Sequence, residues 1–302
     1  MSFPHPENNG QPVQWTGKKF DCHIQPGVLL YDMPNMPEGW NDDLTDFHAE
    51  AGLEEHPLEQ ASIKLTMKVL RKYSPKHPGH VLEIGCSNGF LLRALRNSQP
   101  ELEVVGADII DKPLTRLAAE LHDAKVPTPL LRFDLTSCPL PDSSCKAVIA
   151  RNVLEHIEDD RAAVREVSRI LQPGGVFIVE LPYNNALFDD YDSQLHHYRR
   201  YDDAMLRSLL ASEGFAEHYY THLGFLVYPA FWLVKKWRRR MAVSASRAES
   251  KADTQRAKGY ERLIAFTSKT VFRLAFALEN KLGEKFSFPA GIRCFGVFKK
   301  LP

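Results

Sequence analysis

The chain has 302 residues, of which 25% are charged and 44% apolar, a balance that excludes a disordered or collagen-like chain and leaves room for one large core. Lys and Arg together number 38, as do Asp and Glu, so no net field draws the molecule toward nucleic acid, and no nucleic-acid partner is expected. The charge is uneven, however: seventeen basic and five acidic residues lie from Leu223 onward, net +12, against net −12 before it.

Residues 1–57 carry Pro, Gly and Asn without a sustained period, and read as a largely irregular N-terminal arm with a short strand near Gly27–Tyr31. The first residues lack the basic start and apolar run of a secretory signal. The five cysteines (Cys22, Cys86, Cys138, Cys145, Cys294) are odd in number and never spaced C-x-x-C, so neither a disulfide framework nor a zinc knuckle is indicated. Both observations fit a reducing, cytoplasmic location.

The domain proper is expected over 58–302. A helix over Leu58–Lys72 is stopped by Ser74-Pro75 and Pro78-Gly79. Short β-rich runs then alternate with helical ones. VLEI precedes a helix bearing Leu91, Leu92 and Leu95, EVVGAD one bearing Leu114, Leu117 and Leu121, and PLLRFD follows. KAVIA precedes a helix bearing Val164, Val167 and Leu171, stopped by Pro173-Gly174-Gly175 before VFIVELP. Strands that are apolar almost throughout, joined by crossovers long enough for a helix, form a parallel sheet covered on both faces, and right-handed crossovers make it doubly wound. A helix over 202–214 leads to the strand FAEHYYTHL, and GIRCFGVFKK forms another strand. Residues 224–290 between them read as a helical, lid-like insertion, with a polar stretch over Ser244–Gly259 and an amphipathic helix bearing Leu263, Ile264, Val271, Leu274, Leu278 and Leu282.

The stretch VLEIGCSNGFLL sets a buried strand, ending in Glu83, before a turn containing Gly85, Ser87 and Gly89 and then a helix. A tight glycine turn at a strand's carboxyl end lets a ligand approach the backbone and the helix N-terminus. The G-x-G-x-x-G spacing of a dinucleotide site is absent, which argues against a nicotinamide-dependent oxidoreductase, and an acid stands before the first glycine. That acid repels an anion and suits a ligand bearing an ammonium and a sulfonium. Asp108 closes the second strand about twenty residues on, where a carboxylate can accept from both ribose hydroxyls. Asp134 closes the third strand, placed either to face an adenine amino group or to cap a helix.

These residues resemble the class I S-adenosylmethionine-dependent methyltransferases, and among them the broad group that includes the ubiquinone and menaquinone biosynthesis methyltransferases. The resemblance rests on VLEIGCSNG, VVGADI, the run LRFDLTSCPLPDSSCKAVIARNVLEHIEDDRAAVREVSRILQPGGVFIVELP and HHYRRYDDAMLRSLLASEGF, over about Val81–Phe215. Where the family more often has Gly-Thr, this chain has Ser87-Asn88. The resemblance implies an α/β fold, a doubly wound, mostly parallel seven-stranded Rossmann-like sheet with an antiparallel last strand and the helical insertion before it. It also implies S-adenosyl-L-methionine as cofactor. Glu83, Gly85, Ser87 and Gly89 would line its methionine part, Asp108 its ribose, Asp134 and Leu135 its adenine, and Arg151 with Asn152 the reacting methyl. A non-catalytic S-adenosylmethionine-binding module remains the alternative.

Methyl transfer from a sulfonium needs chiefly alignment, but a hydroxyl acceptor is helped by a group that takes its proton. His196, His197 and Asp192, after the fifth strand of the motif region, are the catalytic candidates; the same residues could form a polar surface loop. With no third ligand spaced near the histidines, no metal is expected. Oxygen is the first expectation for the acceptor atom and carbon the second, on a small or amphipathic acceptor. Leu223–Arg240 places Phe, Tyr and two Trp beside Lys235, Lys236, Arg238, Arg239 and Arg240. Its apolar run, Leu223–Val234, is too short to span a bilayer and is interrupted by Pro229. It reads either as part of a lid or as a lid that also meets an anionic membrane surface, such as a peripheral site at the inner face of a membrane.

Overall fold

The computed structural model describes residues 2–6, 12–21, 27–31, 55–245, 270–283 and 285–302. In the arm, β1 (Ser2–Phe3) pairs antiparallel with β2 (Val13–Gln14), burying Phe3 and Val13. The expected strand near Gly27–Tyr31 forms as β3 (Val28–Leu30). It lengthens the sheet: α1 (Pro57–Tyr73) leads to β4 (His80–Ile84), α2 (Phe90–Ser98), β5 (Val104–Asp108), α3 (Asp111–Asp123) and β6 (Leu130–Arg132), whose outer edge β3 covers in parallel register. The sheet is therefore eight-stranded rather than seven, because the arm supplies one more strand.

Beyond β6 come β7 (Cys145–Arg151), α4 (Asp160–Ile170), β8 (Leu171–Pro182), α5 (Asp190–Gln194), α6 (Asp203–Ser212), β9 (Phe215–Leu223), α7 (Tyr228–Ala245), α8 (Thr270–Leu282) and β10 (Arg293–Lys300). The order across the sheet is β3-β6-β5-β4-β7-β8-β10-β9, with every neighbouring pair parallel except those made by β10, which is antiparallel to both β8 and β9. From β4 the chain winds outward through β5 and β6, then returns to β7 on β4's other flank. The carboxyl ends of β4 and β7 thus form the topological switch point where open α/β sheets bind ligands.

The crossover helices bury the stripes expected of them: Leu91, Leu92 and Leu95 on α2, Leu114, Leu117 and Leu121 on α3, Val164 and Val167 on α4. Helix α4 ends at Ile170, and Leu171 already belongs to β8. Pro173-Gly174-Gly175 lies inside that strand, where the register against β7 jumps from Cys145↔Leu171 to Ala147↔Val176. The helix stop expected there is a bulge instead. In the insertion, Pro229 stands in the first turn of α7, where its missing N–H takes no bond away from the helix, so it starts α7 rather than breaking it. The amphipathic helix is described from Thr270 onward; Leu263, Ile264 and residues 246–259 of the polar stretch lie outside the described residues. Phe276 on α8 is buried in the same apolar cluster as Leu58, Leu223 and Val227, and Glu279 accepts the backbone N–H groups of Gly224 (2.6 Å) and Leu226 (3.0 Å). Both contacts hold α8 to the body. Among the described residues no helix is long and apolar enough to cross a membrane. Cys86, Cys138, Cys145 and Cys294 are buried free thiols, and Cys22 lies outside the described residues.

Candidate functional site

A cavity of about 770 Å³ opens at the carboxyl ends of β4, β5 and β7. Of the residues expected to hold a cofactor, Glu83, Gly85, Ser87, Asp108, Asp134, Leu135, Arg151 and Asn152 line it. Gly89 does not; it is the left-handed residue (φ 70°) that opens α2, and a Cβ there would lie 2.4 Å from a Leu117 methyl. Gly85 presents its backbone to the cavity, but its own missing Cβ points at Val153, 2.5 Å from Cγ2, with φ +69°. Helix packing explains the first glycine, and turn geometry with a close neighbour the second.

The turn is tied to the next strand. Asp108 accepts the backbone N–H of Ser87 (Oδ2, 2.8 Å) and of Ile110 (Oδ1, 3.1 Å), which fixes its carboxylate at the cavity wall while leaving acceptor capacity for a ligand's hydroxyls. Burial raises its pKa, against these backbone donors. Asp134 caps the short 3-10 turn Leu135–Ser137, accepting from Thr136 at 2.9 Å, and also lines the cavity; both roles foreseen for it coexist geometrically.

Glu83 is 3% exposed, and its Oε2 has no hydrogen-bond partner. Burial pushes its carboxyl up to about 8, against the pull of Arg151. A buried acceptor without a donor is costly, and a cationic ligand satisfies it.

Sequence reasoning missed the group beneath. Arg151 binds Glu59 (2.8 Å) and Ser62 Oγ (2.8 Å) from α1, and Ser62 Oγ donates to Glu180. Arg293 binds Glu180 at 2.6 Å and Glu59 at 3.3 Å. Burial opposes the charge on Glu59, but the two guanidiniums hold its carboxyl down at about 2. The cluster makes the floor rigid. No local spacing signals it, because Glu59 and Arg293 are 234 residues apart.

Glu155, His156, His197, Tyr198 and Arg200 line the other half, facing an apolar wall of Val227 just before α7, Ala230, Phe231 and Val234 from α7, and Phe272 from α8. Burial pushes the Glu155 carboxyl up to about 8 and lowers the His197 pKa, against the pull of Asp192. Of the three catalytic candidates, only His197 lines the cavity. His196 is exposed at φ 55° and outside the lining. Asp192 is fully buried behind His197, accepting from its Nδ1 (3.1 Å), from Arg200 (2.8 Å) and from Lys235 (2.9 Å). These partners outweigh burial and hold its pKa below the usual carboxylate range. Lys235, read as a surface cation, instead spans Asp192 and Asp189 (2.6 Å) and locks α7 onto α5.

A family model described as "Methyltransferase domain" matches residues 82–179, from β4 through most of β8. Over these residues the chain is similar to the S-adenosylmethionine-dependent methyltransferases. A protein of Mycolicibacterium smegmatis named as a probable S-adenosylmethionine-dependent methyltransferase is 32% identical to it over 146 residues, 45% of this chain and 51% of the relative. An O-methyltransferase of Pyrenophora dematioidea is 26% identical over 155 residues, 47% of this chain and 57% of the relative. The chain thus spans about half the length of the curated relatives it matches. Among solved structures, phosphoethanolamine N-methyltransferase 2 of Haemonchus contortus, in complex with S-adenosyl-L-methionine, superposes with a TM-score of 0.50 at 17% identity, over 79% of this chain and 53% of that one. This likeness concerns the fold alone. The matched segment supplies Glu83, Gly85, Asp108, Asp134, Arg151 and Asn152 of the cavity lining. The apolar wall that α7 and α8 contribute to the cavity lies outside it.

Proposed function

We propose that the chain transfers a methyl group from S-adenosylmethionine to an amphipathic acceptor, on oxygen in preference to carbon. One observation carries the cofactor assignment: Glu83, with an unpartnered buried oxygen, and Asp108 stand side by side on one wall of a cavity whose buried groups include more carboxylates than guanidiniums. That excess suits a ligand with an ammonium and a sulfonium and disfavours a pyrophosphate. When bound, the cofactor supplies an electrophilic methyl on a good leaving group.

This chain's residues then bind, align and exclude water. Glu83 would take the ammonium, Asp108 the ribose hydroxyls, and Asp134 with Leu135 the adenine; the Arg151–Glu59–Arg293–Glu180 cluster keeps the floor from shifting. Holding nucleophile and methyl in line supplies much of the rate. His197, its Nδ1 held by Asp192, is the residue placed to meet the acceptor's hydroxyl.

The apolar wall from α7 and α8 supports an acceptor with a hydrophobic part, and the outer faces of those helices support an anionic bilayer as its source. Leu233, Trp237, Leu274 and Leu278 are each more than half exposed, as is Phe286 just after α8. Lys236 lies over the Trp232 ring at 4.4 Å, and Arg238–Arg240 follow in sequence. Apolar side chains beside cations, in the segment from Leu223 onward with net +12, match an anionic headgroup layer. A membrane extract incubated with methyl-labelled S-adenosylmethionine tests the function. Label should enter a lipid-extractable acceptor with the wild type and not with Asp108→Ala; label appearing only in water-soluble material would sink the amphipathic assignment.

A further inference from the structure

Glu155, His156 and His197 each offer one ligand atom, and the three atoms lie within 4.8 Å of one another in the cavity wall. Glu155 and His156 close the 3-10 turn Leu154–His156 after β7, and His197 lies in the loop after α5. The two segments are stitched together: Tyr198 N donates to Glu155 O at 2.8 Å, and the rings of His156 and His197 meet edge to face at 4.7 Å. The loop brings up the third ligand that sequence spacing does not reveal.

Two further features point to a cation. Glu155 is 1% exposed, and its Oε2 has no hydrogen-bond partner. The cationic side chains nearby are committed elsewhere, Arg200 and Lys235 to Asp192, Arg293 to Glu59 and Glu180. In addition, the Nδ1–H of His197 donates to Asp192 at 3.1 Å, which leaves Nε2 as the nitrogen with the lone pair. A carboxylate behind a ligating imidazole fixes its tautomer and raises its basicity, the support that metal-bound histidines normally have.

We propose that Glu155, His156 and His197 bind one divalent transition-metal ion, of the zinc, cobalt or manganese kind, with its open coordination position facing the acceptor half of the cavity. Two imidazoles and a carboxylate suit these ions better than magnesium or calcium, which favour all-oxygen shells. Three protein ligands with one position open is the arrangement of catalytic rather than structural sites. The chemical class it takes is an oxygen donor of the acceptor, a hydroxyl or an oxyanion. This deepens the methyl-transfer reading: His197 meets the acceptor through the ion rather than as a proton acceptor acting alone.

The experiment uses the full chain, stripped with chelator and titrated with Co²⁺ while its visible absorption is followed, with S-adenosylhomocysteine binding measured on the same samples. The expected result is saturation at about one Co²⁺ per chain, displaced by Zn²⁺. Glu155→Gln, nearly isosteric, and His156→Gln should each weaken Co²⁺ at least tenfold while leaving S-adenosylhomocysteine affinity in place; His196→Ala should leave Co²⁺ binding unchanged. Wild type that binds S-adenosylhomocysteine without stoichiometric Co²⁺ overturns the metal site and spares the methyltransferase reading, as does binding indifferent to both Gln variants. Co²⁺ binding without S-adenosylhomocysteine binding has the opposite meaning.

Discussion

The backbone N–H of Ser87 donates to Oδ2 of Asp108 at 2.8 Å, so the turn after β4 and the end of β5 are joined by the same carboxylate that faces the cavity. Asp108→Asn keeps the shape but sets an amide N–H₂ where only acceptors fit. Affinity for S-adenosylhomocysteine should fall by about tenfold to a hundredfold, on the order of 1.5–3 kcal/mol. Equilibrium dialysis reads it, and an unchanged affinity would remove Asp108 from the ribose site.

Glu83 makes cofactor binding pH-dependent. Burial raises its pKa to about 8, so the unliganded site holds a proton that the cofactor's ammonium must displace. Below that pH, affinity should rise about tenfold per unit as pH increases. The sign for stability is opposite. A raised folded pKa stabilises fully below the unfolded value near 4.5, and that contribution is lost as pH climbs through 8. Buried Glu155 acts in the same direction. The ligand-free protein should therefore lose Tm between pH 5 and 8, with bound S-adenosylhomocysteine narrowing the loss. Glu83→Gln should bind weakly and without the pH slope; a slope that survives in this variant belongs to another group.

Gly85 tests a different link. Its φ of +69° and a Cβ position 2.5 Å from Val153 Cγ2 mean that Gly85→Ala strains the backbone and collides with a side chain. Denaturant unfolding should show a loss of about 1–3 kcal/mol. Adding Val153→Ala should recover the steric part and not the conformational part. No recovery at all would mean that the collision is relieved elsewhere.

The parallel strands and the glycine turn were legible because each is a local pattern: an apolar run, then an acid, then small residues before a helix. Asp108 was legible for the same reason, standing at the end of the next run. What escaped was written in contacts between distant segments. Glu59, Ser62 and Arg293 look like ordinary surface residues of α1 and β10 until the fold buries them against Arg151 and Glu180. Lys235 belongs to a basic run in sequence, but one helical turn decides which cation faces inward, and Asp189 with Asp192 claims this one. The strand β3 was visible locally, whereas its docking on β6, which makes the eighth strand, was not.

The outer faces of α7 and α8 give a test that leaves the cavity untouched. Purified protein should pellet with vesicles rich in anionic lipid and remain in solution with neutral ones, and the pelleted fraction should fall as salt rises. Replacing exposed Leu233, Trp237 and Leu274 by Glu should abolish pelleting without changing S-adenosylhomocysteine affinity. If the wild type stays in the supernatant at low salt, these helices are a lid over a water-soluble acceptor.

We infer that the cavity at the ends of β4, β5 and β7 is a working S-adenosylmethionine site. Calorimetric titration with S-adenosylhomocysteine, repeated in two buffers of different ionisation enthalpy, tests it most directly. The expected result is binding to about one site per chain at micromolar or tighter affinity, with a proton released at pH 7 that disappears in Glu83→Gln. A wild-type protein that shows no heat of binding up to millimolar ligand would contradict it.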